Sequence, residues 1–268
     1  TLGVRIHGKR DLRLEQFELP DPSDEEIVAE VVSNSICMSS HKAAEQGPDH
    51  KRVPDNVAEE PTIIGHEFAC RLLEVGDRWA DQFQPGQIVG IQPALNYKGS
   101  LDAPGYSFRW IGGNSQKIII PREVMLMDCL LPYEGDAFFK ASLAEPMSCI
   151  VGAFRAQWHY ARPGEYEHEF GIEEGGNCAL LAAAGPMGQG AIDFALHGDR
   201  TPGRLLVTDI DPERLARAQQ LFPESEAEKL GVELDYLNPD ELEGTDQRLV
   251  DYVSDLTEGQ MMDDVFVF

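Results

Sequence analysis

A histidine and a glutamate stand side by side behind a glycine in Pro61-Thr62-Ile63-Ile64-Gly65-His66-Glu67-Phe68, and a cysteine, Cys37, lies upstream. One thiolate, one imidazole and one or two carboxylates can hold a catalytic zinc, with three protein ligands and a position left open for water or substrate. A buried histidine hydrogen-bonded to the carboxylate beside it leaves the same letters, and short motifs carry a high false-positive risk. Cys37 is followed by Met38-Ser39-Ser40-His41-Lys42-Ala43-Ala44, where a strand gives way to a helix that Ser39 or Ser40 can cap. A thiol just ahead of a helix N-terminus has its thiolate favoured by the helix dipole; a free cysteine is also commonly a small buried hydrophobe. Further on, Glu145 stands before Pro146 at the boundary of a helical run, a carboxylate free to point into a cleft.

A second constellation lies in the other half. The apolar run Cys178-Ala179-Leu180-Leu181-Ala182-Ala183 leads into Ala184-Gly185-Pro186-Met187-Gly188-Gln189-Gly190, then a helical stretch, then Leu205-Leu206-Val207-Thr208 ending at Asp209. Strand, glycine turn, helix, strand and an acid about 20 residues on is the dinucleotide-binding pattern. Glycines let the backbone approach a pyrophosphate at the helix N-terminus, and the acid holds the ribose diol. Ala183 occupies the first glycine position, so the fingerprint is imperfect. Asp209 would repel a 2′-phosphate, which favours NAD over NADP.

The elements that must position these residues follow from periodicity. Residues 1 to 32 alternate in period two (Val4/Ile6, Leu12/Leu14, Ile27/Ala29/Val31) with turn punctuation at Gly8 and Pro20 to Asp24, which predicts antiparallel strands of a small barrel or sandwich. Strands are also predicted over 68–76, within 83–91 and over 117–121, and helix over 141–154. Asp211-Pro212-Glu213-Arg214 opens another helix, and Asp263 to Phe268 reads as a further parallel strand. The chain is α/β, with an N-terminal domain over 1–150 and a nucleotide-binding domain over 151–268.

Composition bounds the function. At 268 residues there is room for two cores. A net charge of −25 argues against nucleic acid, whose phosphates require a basic surface. An anionic substrate would need local cations working against the overall field, and the loop His50-Lys51-Arg52 is a candidate anchor for a phosphate or carboxylate, or simply a solvated loop. No apolar run approaches the roughly 18 to 20 residues of a membrane span, and the first residues show no long apolar signal-peptide core. Five scattered cysteines without CxxC spacing suit a reducing cytoplasm.

Taken together, Cys37-Met38-Ser39, Gly65-His66-Glu67, Glu145-Pro146 and Gly185-Pro186-Met187-Gly188 with Asp209 resemble the zinc-dependent medium-chain dehydrogenases/reductases, over essentially the whole chain. The His50-Lys51-Arg52 loop and an acidic insertion from Gly164 through Gly176 are most similar to the sugar-phosphate reductases on the sorbitol-dehydrogenase side. The resemblance implies a GroES-like β-barrel followed by a Rossmann domain, and an NAD(H)-linked enzyme interconverting a polyol, phosphorylated for preference, and its ketose. It implies one zinc on Cys37 and His66 with Glu67 as third ligand, and Glu145 either binding the metal or holding its water. It places Ser39 where the substrate proton is relayed, puts Lys42 roughly where relatives carry a relay histidine, and assigns Arg214 with Asp209 and the turn to the cofactor. A second, structural zinc needs cysteines between Pro93 and Gly113; there are none, so one metal is expected. Relatives continue past Phe268 and often dimerise through the nucleotide sheet, so truncation at the C-terminus, and homo-oligomerisation of the full-length protein, are expected. Two rivals stand beside this reading: a zinc-free enone or quinone reductase of the same superfamily, and an inactive dinucleotide-binding protein.

Overall fold

The alternating residues at the start of the chain become antiparallel sheet, and the continuous apolar runs of the second half become parallel sheet. The computed structural model describes residues 1–162, 164, 166–242 and 248–268, and the chain divides into two units, Thr1–Glu145 and Pro146–Phe268.

The first unit carries β1 (Leu2–Gly8), β2 (Asp11–Gln16), β3 (Ile27–Asn34), α1 (Met38–Gln46), the short β4 (Thr62–Ile63), β5 (Phe68–Val75), β6 (Ile88–Ile91), β7 (Lys117–Ile120), α2 (Arg122–Leu126), β8 (Leu130–Pro132) and α3 (Phe138–Ser142). They form two sheets, β2-β1-β4 and β7-β3-β5-β6-β8, with every neighbouring pair antiparallel. Alternate residues of β3 and β5, among them Ile27, Ala29, Phe68, Cys70 and Leu72, face a common core with Val89, Ile118 and Ile120. A second cluster, Ile6, Ala43, Ala44, Val57, Ile64 and Tyr106, packs α1 against β1 and β4. Every residue from Pro61 to Cys70 is buried.

Two boundaries differ from the sequence reading. Helix α1 begins at Met38 with Cys37 as its N-cap and no side-chain cap bond; Ser39 and Ser40 lie inside the first turn because their hydroxyls are engaged elsewhere. The helix expected over 141–154 is interrupted at Leu143: α3 ends at Ser142, and Glu145 lies within the first turn of α4 (Ala144–Arg155). Pro146 is tolerated there because first-turn amides have no intrahelical partner.

The second unit continues α4 and adds a hairpin, β9 (Trp158–Tyr160) with β10 (His168–Phe170), in the region of the acidic insertion, of which Glu165 lies outside the described residues. Then come β11 (Asn177–Leu181), α5 (Pro186–His197), β12 (Arg204–Thr208), α6 (Pro212–Leu221), α7 (Glu224–Lys229), β13 (Glu233–Leu237), α8 (Leu249–Leu256) and β14 (Asp264–Val267). The sheet order is β13-β12-β11-β14, all parallel. Because parallel sheets are covered on both faces, successive residues of β11 enter different cores: Cys178 and Leu180 pack with Ile150, Ile192 and Val207, whereas Ala179 packs with Leu206, Leu237 and Val253. The order reverses between β11 and β14, and that reversal at the carboxyl ends of the strands is where such sheets leave a ligand crevice. No described helix is long and apolar enough to cross a membrane.

Candidate active site

Two separate segments bring Cys37, His66 and Glu67 together, so that one ligand atom from each lies within 4.8 Å of the others. Cys37 comes from the N-cap of α1, and His66 and Glu67 from the bend between β4 and β5. The bend depends on Gly65, whose φ of 101° lies in the region that favours glycine. Its carbonyl accepts from the Gly113 amide at 2.7 Å, and the Ile64 carbonyl from the Asn114 amide at 3.0 Å. Gly105 (φ 79°) presses against the same bend, and a Cβ there would overlap the Gly65 carbonyl. The bend thus holds the imidazole and the carboxylate of adjacent residues on one side.

Each ligand side chain has a polar partner. Ser40 Oγ lies 3.2 Å from His66 Nδ1, leaving Nε2 to face Glu67 Oε1 at 3.7 Å. Ser35 Oγ–H donates to Glu67 Oε2. Ser39 Oγ lies 3.0 Å from Cys37 Sγ, 3.4 Å from His66 Nε2 and 2.8 Å from the Tyr106 hydroxyl. Burial lowers the His66 pKa, with the Glu67 charge opposing and Arg52 assisting, so the imidazole is held neutral, as a metal ligand must be. At Cys37, burial pushes the thiol up; the Ser39 hydroxyl and amide pull it down by less, so burial outweighs the helix terminus in this group and a metal would have to displace the proton.

A sulfur, a nitrogen and an oxygen donor in this spacing fit zinc, with three protein ligands and an open position. Ser40 meets the requirement that a ligating histidine donate its second N–H to fix its tautomer. We expect Ser40→Ala to leave the fold intact and to weaken zinc binding about 10- to 100-fold, read by competition with a chromogenic chelator. An unchanged affinity would show that Ser40 does not orient His66.

Other candidates sort differently. Glu145 is half-buried and lies outside the 4.8 Å group, although its charge helps to raise the Tyr106 pKa. Lys42 and His41 are exposed on α1, and the hydroxyl partner of Ser39 is Tyr106. The three cations of the 50–52 loop diverge. His50 is buried, stacked on Tyr106 with centroids 5.7 Å apart, and its pKa is lowered by burial and by Arg52, Lys42 and Lys51. Lys51 is exposed, and Arg52 Nη1 donates to the Leu101 carbonyl at 2.9 Å. Sequence reasoning missed Ser35, Ser40 and Tyr106; the one local signal for Tyr106 is its position after Gly105 in an aromatic, Gly- and Pro-rich segment.

In the second unit, the glycine turn joins β11 to α5. Ala182, not Ala183, takes the left-handed conformation (φ 56°), so alanine is accommodated at the first glycine position. Gly185 is the N-cap of α5 without a side-chain cap bond, and Pro186 follows at the first helical position. A Cβ on Gly185 would meet nothing within 4 Å, whereas one on Gly188 would overlap the Ala183 carbonyl. Gly185 thus leaves space beside uncapped helix amides, the arrangement that receives a phosphate, and Gly188 lets the helix pack on the strand. Asp209 is buried; its carboxylate accepts from the Ala184 amide at 2.9 Å and the Asp211 amide at 3.0 Å. Asp211 caps α6 by accepting from the Glu213 and Arg214 amides, and the Arg214 side chain pairs with Asp211 at 3.2 Å.

No family model matches the chain. Along all 268 residues it is 48% identical to the L-sorbose 1-phosphate reductase of Klebsiella pneumoniae and 47% identical to the mannitol-1-phosphate 5-dehydrogenase of Aliivibrio fischeri. It spans 63% and 62% of the length of these curated relatives. Among solved structures, the 2R,3R-butanediol dehydrogenase of Bacillus subtilis superimposes with a TM-score of 0.69 at 21% identity, covering 99% of this chain and 70% of that one. The chain is therefore similar in sequence to polyol and sugar-phosphate dehydrogenases and reductases, and it shares its fold with solved dehydrogenases, among them two described as zinc-binding.

Proposed function

We propose that the protein is a zinc-dependent, NAD(H)-linked oxidoreductase that interconverts a phosphorylated polyol and its ketose phosphate, with the first unit as a GroES-like catalytic barrel. The observation that carries the reading is the convergence of Cys37, His66 and Glu67 ligand atoms within 4.8 Å, with the Ser39 hydroxyl beside them. Cys37, His66 and Glu67 would hold the metal, with Glu145 as a further ligand or the partner of its water. When bound, zinc supplies Lewis-acid polarisation of the carbonyl oxygen and the nicotinamide supplies or accepts the hydride.

The chain's own residues do the rest. Ser40 and Ser35 orient the imidazole and the carboxylate. Ser39 passes a proton from its hydroxyl to the carbonyl oxygen during reduction, regaining one from solvent, and in the reverse direction gives its own proton to solvent as it takes the alcohol proton. Burial of His66 and Glu67 strengthens electrostatic interactions at the reacting oxygen. The turn at Gly185 and Gly188 would receive the pyrophosphate, and the Asp209 charge disfavours a 2′-phosphate. In a chain of net charge −25, Lys51 and Arg52 are the nearby cations that could meet a substrate phosphate.

The test is metal content together with NADH oxidation by sorbose 1-phosphate, fructose 6-phosphate and unphosphorylated ketoses. The expected result is about one zinc per chain and turnover confined to the phosphorylated ketoses. Joint Lys51→Ala and Arg52→Ala substitution is expected to raise KM for those substrates selectively. Absence of zinc with enone reduction would replace this reading by a zinc-free reductase, and NADH binding without turnover would replace it by a dinucleotide-binding protein.

A further inference from the structure

Tyr106 belongs to no metal group, yet it meets His66 of the candidate group, Ser39 beside it, and His50. Its hydroxyl lies 2.8 Å from Ser39 Oγ and 3.3 Å from His66 Nε2. Its ring is tilted against His66 with centroids 4.8 Å apart and stacked on buried His50 at an interplanar angle of 13°. The ring is anchored from behind: Thr62 Oγ1 donates to the Tyr106 carbonyl at 2.8 Å, and the Tyr106 amide donates to the Ala103 carbonyl at 3.1 Å. The preceding Gly105 lies so close to Gly65 and His66 that only glycine fits, which fixes the ring relative to the imidazole. Tyr106 is 5% exposed, so its hydroxyl cannot turn to bulk water and must find its partner inside.

A serine hydroxyl is a rotor, able to donate one proton and accept through two lone pairs. To give its proton to a substrate oxygen, Ser39 must not spend that proton on a neighbour. We propose that Tyr106 is a positioning residue for Ser39: its phenol O–H donates to Ser39 Oγ, so the serine proton points away from the ring, toward the side where Cys37 Sγ, 3.0 Å off, and the substrate oxygen would share it. The direction of the bond follows from acidity, since a phenol is a stronger donor than an alkyl hydroxyl. The inference rests on the proposed reading of Ser39 as the group that passes the proton. Tyr106 would then act through Ser39, without touching substrate.

The test is a double-mutant cycle on the purified protein with Tyr106→Phe and Ser39→Ala, scored on kcat, KM, zinc content and tyrosine ultraviolet absorbance. Phenylalanine keeps the ring between the two imidazoles. Tyr106→Phe is expected to lower kcat about tenfold, with KM and zinc content unchanged, and to have no further effect in the Ser39→Ala background. Without any substrate or metal, Ser39→Ala is expected to shift the tyrosine absorbance band, and this shift should vanish when Tyr106 is phenylalanine. An active wild-type protein in which Tyr106→Phe costs as much without Ser39 as with it, or in which the band does not shift, overturns the inference alone. A wild-type protein without zinc or ketose-phosphate turnover overturns the proposed function, and with it the substrate-facing role of Ser39.

Discussion

His66→Ala is expected to remove metal and turnover together, and Cys37→Ser to follow the same course. A Lewis acid contributes several kcal/mol of transition-state stabilisation, and about 4 kcal/mol corresponds to about 10³-fold in rate, so residual activity should fall by at least about that factor. His66 is 5% exposed and its Nδ1 lies 3.2 Å from Ser40 Oγ, so water has little access to replace it. Zinc content by atomic absorption and ketose-phosphate reduction on the same preparation check the result, with far-ultraviolet circular dichroism to establish that the variant folds. Retained zinc and a near-normal rate in either variant would remove the metal assignment.

The second large effect is expected in the nucleotide turn, where two glycines should behave in opposite ways. Gly188→Ala places a Cβ on the Ala183 carbonyl, backbone against backbone, so no side chain can move aside and α5 must shift from β11. Overpacking typically costs about 1–3 kcal/mol; with both sides rigid we expect a cost at or above the top of that range, seen as a lower midpoint for unfolding of the second unit and loss of NADH binding. At Gly185 the added methyl meets nothing within 4 Å. Gly185→Ala should therefore leave the melting temperature almost unchanged while weakening NADH binding, because the methyl would occupy the approach of the pyrophosphate. Calorimetric NADH titration of both variants separates the cases. Unchanged affinity in Gly185→Ala would show that the cofactor does not approach there.

The two variants also illustrate what a sequence carries. The turn is legible because strand, glycines, helix and acid are consecutive letters, and β11, β12 and β14 are legible because each carries an unbroken apolar run of three or four residues. Strand β13 is not: Glu233-Leu234-Asp235-Tyr236-Leu237 lies at the sheet edge, where Asp235 pairs with Arg204 at 2.7 Å, and its charges hide it from a search for apolar runs. Strand β8 is three residues long, too short for any period. At the candidate metal group, His66 and Glu67 announce themselves by adjacency, and Cys37 by its position before a helix. Their partners do not. Ser35, Ser40 and Tyr106 reach them from 32, 26 and 40 residues away, and serine and tyrosine are too common for their types to mark a site. The position of the α1 cap is missed for a related reason: Ser39 and Ser40 have good capping chemistry, but tertiary partners claim their hydroxyls.

The unbroken burial of Pro61 to Cys70 means that His66 and Glu67 lie in the interior of the first unit and not on a loop laid over it. Loops at the surface open locally at little free-energy cost, whereas a segment enclosed by packed strands gives up its protection against hydrogen exchange only when those strands separate. A fluctuation large enough to release His66 and Glu67 as a pair would therefore also part β5 from β3 and β6. The lifetime of the ligand group is thereby bound to the lifetime of the folded unit, and a substitution that hastens unfolding of that sheet shortens both.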